Sequence, residues 1–337
     1  MKTTRTQFFQ HVPAMLVLAM ALFLLSCQGK KEESTDGGKV WKITMIKYED
    51  LQQTEEAERG FRDGLTDAGL KDGYDYTIES RSAQGDIPTV IAMLDAAAAD
   101  GTNMLVSLQT PTLHSAVQRG VGIPLVFMVV ANPFVITNVG KSDSSHLPFL
   151  TGVYTNTTFK TMLQHIKACI PNVNKIGTLY SSSELNAMFY RSQLQNAGAA
   201  EGLSVETVGV VSKESVGAMT ELLISSGIQA ICQIEDNLTS AAFPGLIKAA
   251  AAAKIPVFAF VNKQAEQGAV LTLAPDYIVG AKQAARQAAQ IIRGESPAKI
   301  PFQRITKFDL IANKKAAQAA GLTLPASVLA RADRVIE

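Results

Sequence analysis

Cysteine, tryptophan and net charge are all scarce in this chain of 337 residues. Its three cysteines, Cys27, Cys169 and Cys232, are too few for a disulfide framework, and none has the paired spacing of a zinc site. Cys169 and Cys232 are read as small buried hydrophobes. The formal charge is +1 and no stretch forms a basic stripe, which excludes the electrostatic footprint of a nucleic-acid binder. After Cys27 no apolar run approaches the ~20 residues that cross a bilayer. Catalytic signatures are missing as well. There is no Gly-x-Ser-x-Gly elbow, no Gly-rich phosphate loop ending in Gly-Lys, and no His-Glu-x-x-His pair. His114 and His165 fall on separate expected helices, and His146 lies in a loop. No enzyme, cofactor or metal is expected from these residues.

The N-terminus carries a recognisable pattern. Lys2 and Arg5 precede an apolar run from Val12 to Leu25, interrupted by Pro13. That run is too short for a comfortable membrane span and has the basic flank of a secretory signal. It ends in Leu24-Leu25-Ser26-Cys27, which looks like a bacterial lipobox. The expectation is a signal peptide over 1–26, acylation of Cys27, and a polar tether over 27–39. Without Lys2 and Arg5 the +1 becomes −1. The protein is then held on the outer side of a membrane by lipid.

From Val40 onward short apolar strands alternate with helices, the pattern of a parallel sheet covered on both faces. Strands are expected at 40–47, 74–79, 104–108 and 124–130, and helices at 55–68, 87–99 and 111–119. The rhythm restarts near Thr158, with strands at 175–180, 204–211, 229–234 and 256–261 between helices. A further strand at 269–274, a long helix at 277–293 and an extended segment at 301–308 follow. The fold class is therefore α/β, with two Rossmann-like lobes of parallel strands. The tail adds to their edges, so the chain crosses between lobes more than once. The expected division is 40–152 plus about 263–293 for the first lobe, and 153–262 plus about 294–337 for the second. A single large doubly wound domain is the alternative reading.

Open parallel sheets bind ligands beyond the carboxyl ends of their strands. That rule selects Tyr48 and Glu49 after the first strand, and Thr110 and Thr112 at a helix start that suits an anion. It also selects Asn132 and Phe134, Glu184 and Asn186, Asn262, and Asp276. Glu235 and Asp236, followed by Asn237, offer counter-charge for an ammonium group. The same residues also read as plain helix caps. Together they suit a small zwitterion, and Asp236→Ala is expected to weaken an amino-bearing ligand far more than Lys213→Ala.

Several short motifs support a family resemblance. They are Ala57 to Gly69, with Gly-Phe-x-x-Gly-Leu near its middle, Ala83-Gln84-Gly85-Asp86, Thr110-Pro111, Ile255-Pro256-Val257-Phe258, Gly268-Ala269, and Pro297 to Pro301. On these the chain resembles bacterial ABC-transporter substrate-binding proteins of the type I periplasmic-binding fold, in the branch that includes tryptophan- and tyrosine-binding lipoproteins. The resemblance implies three interlobe crossovers, a monomer that closes on its solute, and delivery to a permease with a cytoplasmic ATPase. It also implies that Thr110 and Thr112 hold a carboxylate, with Asn132, Asn186, Asp236 and Asn237 at the ligand. The chain departs from the family pattern at Asn132, where Asp is usual, at Ala259 to Asn262, where Ser and Asp are common, and at Pro275, where Gly is usual. The expected function is capture of an amino acid, aromatic or otherwise apolar. A sensing lipoprotein, a nucleoside or sugar binder, and a surface interaction protein are the alternatives.

Overall fold

The computed structural model describes residues 39–155 and 157–337. The expected signal peptide, Cys27 and nearly all of the tether lie outside the described residues. Val40 to Glu337 forms one compact unit built on two sheets.

The first sheet contains β1 (Trp41–Lys47), β2 (Tyr76–Ser82), β3 (Met104–Leu108), β4 (Leu125–Val130), β7 (Leu150–Tyr154) and β13 (Gln303–Arg304). Their order is β13-β7-β4-β3-β1-β2, and every pairing is parallel. β3 is buried along its whole length, as its Met-Leu-Val-Ser-Leu run requires of a strand covered on both faces. A small hairpin, β5 (Gly140–Ser142) with β6 (Ser145–His146), stands apart. The second sheet contains β8 (Lys175–Ser181), β9 (Ser204–Val210), β10 (Ala230–Cys232), β11 (Val257–Ala259), β12 (Leu271–Pro275), β14 (Phe308–Asn313) and β15 (Arg334–Ile336). Its order is β15-β14-β12-β11-β10-β8-β9, parallel except for β12 against β14.

In the first lobe, α1 (Gln52–Asp67), α2 (Ile87–Ala99) and α3 (Thr110–Arg119) follow β1, β2 and β3. In the second, α4 (Phe159–Cys169) precedes β8, and α5 (Leu185–Ala200) and α6 (Val216–Ser225) flank β9. The short α7 (Asn237–Ala241) and then α8 (Phe243–Ala252) follow β10, and α9 (Asn262–Glu266) follows β11. α10 (Tyr277–Ile292) returns to the first lobe, while α11 (Lys314–Ala319) and α12 (Ala326–Leu329) finish the second.

The return of α10 depends on small residues. A Cβ at Gly60 would stand 2.6 Å from the Ile278 carbonyl oxygen, and one at Gly64 would stand 2.6 Å from Ala285 Cβ. α1 therefore reaches α10 only through bare backbone. α10 answers with a buried alanine face of Ala281, Ala284, Ala285 and Ala288. Cys169 and Cys232 are unpaired and buried in one apolar cluster of the second lobe.

The chain passes between lobes after β7, after β12 and after β13. The expected lobe boundaries need correction. α9 and β12 stay with the second lobe, where β12 is hydrogen-bonded between β11 and β14. β13, expected in the second lobe, pairs with β7 in the first. Local sequence marks a strand, but its pairing partner decides the lobe.

Candidate functional site

Strand order reverses twice in this molecule, and both reversals face one seam. In the first sheet β1 lies between β2 and β3. In the second, β8 lies between β9 and β10. Loops diverge at such switch points and leave a crevice for ligand. The loops concerned are Tyr48–Glu49 and Gln109 on the first lobe, with Ser182–Glu184 and Gln233–Asp236 on the second.

Gln109 closes the first switch point. Its Oε1 accepts the backbone N–H groups of Tyr48 and Glu49, each at 2.9 Å. Its Nε2 donates across the seam to Asn237 Oδ1 at 2.9 Å. Gln109 holds a left-handed backbone, φ +72°. So does Val129, at φ +56°, where β4 loses register between Phe127 and Val130. Such conformations cost about 1–3 kcal/mol each in a non-glycine residue and persist where surrounding contacts impose them. Gln109, which sequence reasoning placed in the loop but not in the site, is thus the first lobe's main polar contact at the seam.

On the second lobe Glu184 plays the corresponding part. Its carboxylate accepts from Asn186 Nδ2 at 3.1 Å, Asn237 N at 3.1 Å, Asn237 Nδ2 at 2.5 Å and Leu238 N at 3.1 Å. Asp236 caps α7, accepting from Thr239 N at 2.7 Å and Ser181 N at 3.1 Å. Burial, and then the negative charge of Glu184, push the Asp236 carboxyl upward, while the two N–H groups pull it back. Glu235 is different. Its Oε1 accepts from the Tyr277 hydroxyl at 2.5 Å, but its buried Oε2 has no partner. Burial raises its pKa to about 7, against the opposing pull of the Tyr277 hydroxyl. Asn186 Oδ1 is likewise buried and unpaired.

These groups enclose a cavity of about 20 Å³, lined by Thr110, Val129, Ala131 and Thr155 on one side and by Asn186, Tyr190, Glu235, Asp236 and Asn237 on the other, with Tyr277 from α10. That volume is about one water's worth, so the lobes stand closed. Among the described residues no Lys, Arg or His lines the cavity. Tyr190 lies one helical turn after Asn186, on the same face of α5, and its hydroxyl is 2.7 Å from Thr155 Oγ1. That spacing was the available signal for Tyr190. A roomier apolar hollow of about 410 Å³ opens beside the seam. It shares Thr110 and Glu184 with the seam's surroundings and runs over Ile87, Ile91, Pro111 and His114.

The expected site residues divide accordingly. The structure brings Thr110, Asn186, Asp236 and Asn237 to the cavity, with Glu184 directly behind. Thr110 does not cap α3; it is the first helical residue, and Gln109 holds the cap position without a side-chain bond. Thr112 is fully buried within the helix with its hydroxyl unpaired, and it does not line the cavity. Asn132 folds onto its own turn, its Oδ1 accepting from Phe134 N at 2.9 Å. Phe134 packs against Tyr154 and Phe302 in the first lobe's core and offers the cleft no wall. Asn262 opens α9 away from the cavity. Asp276 caps α10 at a crossover and pairs with Lys307 at 2.7 Å. Tyr48 borders a side opening with Glu184. Glu49 spans the lobes to Lys213 at 2.6 Å, so Lys213 is no neutral reference for Asp236. Phe260 is buried against Phe159 and does not line the cavity.

Two lobes of mostly parallel sheet meet at a closed seam lined by buried polar groups, and comparison with known proteins assigns the class. Residues 42–336 match the family model described as ABC transporter substrate binding protein, and the chain belongs to that family. A solved structure from Streptococcus pneumoniae, an ABC domain in complex with L-Trp, is 26% identical with a TM-score of 0.84, covering 88% of this chain and 100% of its own. A conserved domain protein from Vibrio cholerae is 28% identical with a TM-score of 0.83 over the same shares. A tyrosine-binding protein from Clostridioides difficile is 24% identical over 289 residues, 86% of this chain and 83% of its own length. Membership makes this an extracytoplasmic binding protein of an ABC transporter, working with a permease and its ATPase on a small solute, and not a catalyst. Among the described residues no group of His, Cys, Asp and Glu could hold a metal ion, and no helix is long and apolar enough to cross a membrane.

Proposed function

We propose that the protein captures a small solute bearing a primary amine, an aromatic amino acid, and presents it in the closed form to its permease. The observation that supports this most is the pair of buried acceptors without partners, Glu235 Oε2 and Asn186 Oδ1, with two further buried carboxyl groups, Asp236 and Glu184, nearby and no basic side chain lining the cavity. Unpaired buried acceptors cost about 1–3 kcal/mol each, and more when charged. An ammonium group supplies the missing donors and charge together. Tyr190 and Tyr277 supply ring surface beside it. A carboxylate on the solute would meet the α3 start at Thr110, where backbone N–H groups point outward. The names of the relatives, one a tyrosine binder and one holding L-Trp, point the same way. An aromatic amino acid is far larger than the roughly 20 Å³ now enclosed, so it enters when the lobes part and holds them further apart than they stand here when they close on it.

Lipid anchoring belongs to this reading and rests on Leu24-Leu25-Ser26-Cys27. Cys27→Ala would release the protein from the membrane fraction if Cys27 is acylated. Unchanged membrane association of that variant would remove the anchor. For the solute, native mass spectrometry of the purified protein followed by calorimetry with L-tyrosine and L-tryptophan is the direct test. Tight binding of either supports the reading. A co-purifying sugar or nucleoside, with no response to any amine, overturns it.

A further inference from the structure

Burial and a single hydroxyl donor determine the charge of Glu235. Its Oε1 is held by the Tyr277 hydroxyl at the start of α10. Its Oε2 is buried without a partner, and the residue lines the cavity. The other titratable groups around it add no positive charge. Asp236 adjoins it, Glu184 lies behind Asn237, Tyr190 comes from α5, and the negative charge of Glu56 on α1 acts on Tyr277. The nearby rim lysines are committed elsewhere, Lys213 to Glu49 and Lys307 to Asp276. A buried carboxyl with one hydroxyl donor and no counter-ion keeps a proton to higher pH than an exposed one.

We propose that Glu235 makes this cleft selective for a primary ammonium group, and that the ammonium displaces a proton held on Glu235 Oε2 as the lobes close. The inference rests on the amine-binding reading above. The balance is simple. The Glu235 carboxylic O–H bond breaks, its proton leaves to solvent, and the electron pair stays on the carboxylate. The ammonium N–H groups then donate to that carboxylate and to Asn186 Oδ1. One cation enters and one proton leaves, so no net positive charge is added to the cavity. A solute of the same shape lacking the amine has nothing to exchange and leaves the acceptors unpaired. Burial places the exchange near neutral pH, since the Glu235 carboxyl is pushed up to about 7.

The test is calorimetry with three probes, L-tyrosine, tyramine and 3-(4-hydroxyphenyl)propionate, in phosphate and in Tris at pH 7. Both amines are expected to bind with heats that differ between buffers by the ionisation heat of about half a proton, and the acid without an amine is expected not to bind. Their Kd should fall about tenfold from pH 6 to pH 8, and Glu235→Gln should abolish both the buffer difference and the pH slope. Equal heats in the two buffers, with amine binding intact, overturn the exchange alone. A second readout needs no ligand. The infrared difference between the native protein and Glu235→Gln at pH 6 should contain a protonated carboxyl band, since the Asp236 carboxyl, also pushed upward, is common to both and cancels. Absence of that band overturns the proposal whatever the probes do. A band with no binding by either amine overturns it together with the amine reading.

Discussion

The two walls of the cleft are built on opposite terms. The second lobe's wall carries charge. Glu184 and Asp236 are tied to backbone N–H groups at the start of α7, and Glu235 is held by Tyr277 with one oxygen left over. The first lobe's wall is neutral and strained. Gln109 and Val129 both hold left-handed backbone there, and Thr110 and Ala131 complete it. In the proposed reading, the wall with unpaired acceptors recognises the chemistry of a solute, whereas the wall of held backbone supplies the shape that closes over it. Between them runs one continuous relay, from the Tyr48 and Glu49 amides through Gln109 and Asn237 to Glu184.

The largest expected effect is on the charged wall. Glu235→Ala should weaken an amine ligand by about 2–3 kcal/mol, roughly 30- to 150-fold, the usual worth of a charge-assisted bond. Folding should respond in the opposite direction. A carboxyl whose folded pKa is raised to about 7 from 4.5 binds a proton on folding between those values. Stability contributed by that site therefore falls as pH rises from about 4.5 to about 7, and is not regained above it. Glu235→Gln should flatten that decline in thermal denaturation of the free protein. A charged wall whose loss left affinity unchanged would erase the distinction between the walls.

Next comes the relay. Gln109→Ala keeps the unfavourable backbone but strips three hydrogen bonds, leaving two N–H groups and Asn237 Oδ1 without partners. About 1–3 kcal/mol should be lost from the closed form. Small-angle scattering should show a more open free protein, and calorimetry a ligand affinity lower by about tenfold. An unchanged scattering profile would mean that closure owes nothing to Gln109. Asp236→Ala should cost about 1 kcal/mol of stability as a lost helix cap, with a smaller loss of affinity than Glu235→Ala. The reverse order would return the amine to Asp236.

Much of this architecture was legible in the sequence, and the exceptions have a common cause. β3 and β4 declare themselves by continuous apolar runs, and α1 by Ala57, Phe61 and Leu65 on one face. The loops after the strands follow from the parallel sheet, so Asn186, Asp236 and Asn237 could be named in advance. Asn132 and Phe134 obeyed the same rule yet turned away, because an Asn two residues before a Phe can satisfy its own turn. Glu235 and Asp236 were inseparable as a pair. Which of two adjacent acids caps a helix depends on backbone direction at one peptide, and that direction is a product of the fold. β12 and β13 exchanged lobes for a similar reason. Strand pairing is long-range, and neither strand's composition records its partner.

The smallest effect should come from the rim, where Lys213 meets Glu49 across the lobes at 2.6 Å. The lysine is 45% exposed on its side chain while the glutamate is 9% exposed, so water screens one end of the pair and not the other. With its lysine end in water, the pair contributes about 1 kcal/mol, near the upper end for surface pairs. Lys213→Ala should therefore weaken ligand binding several-fold at most, and by less as salt is raised, because the pair exists in the closed form and must be broken to open it. The Glu235 effect is buried and should persist in the same salt. Measuring both variants at low and high ionic strength separates the rim from the floor of the cleft. If Lys213→Ala matched Glu235→Ala in size and both effects vanished in salt, closure would be driven from the rim, and the deep acids would be structural supports of α7 rather than the recognition surface.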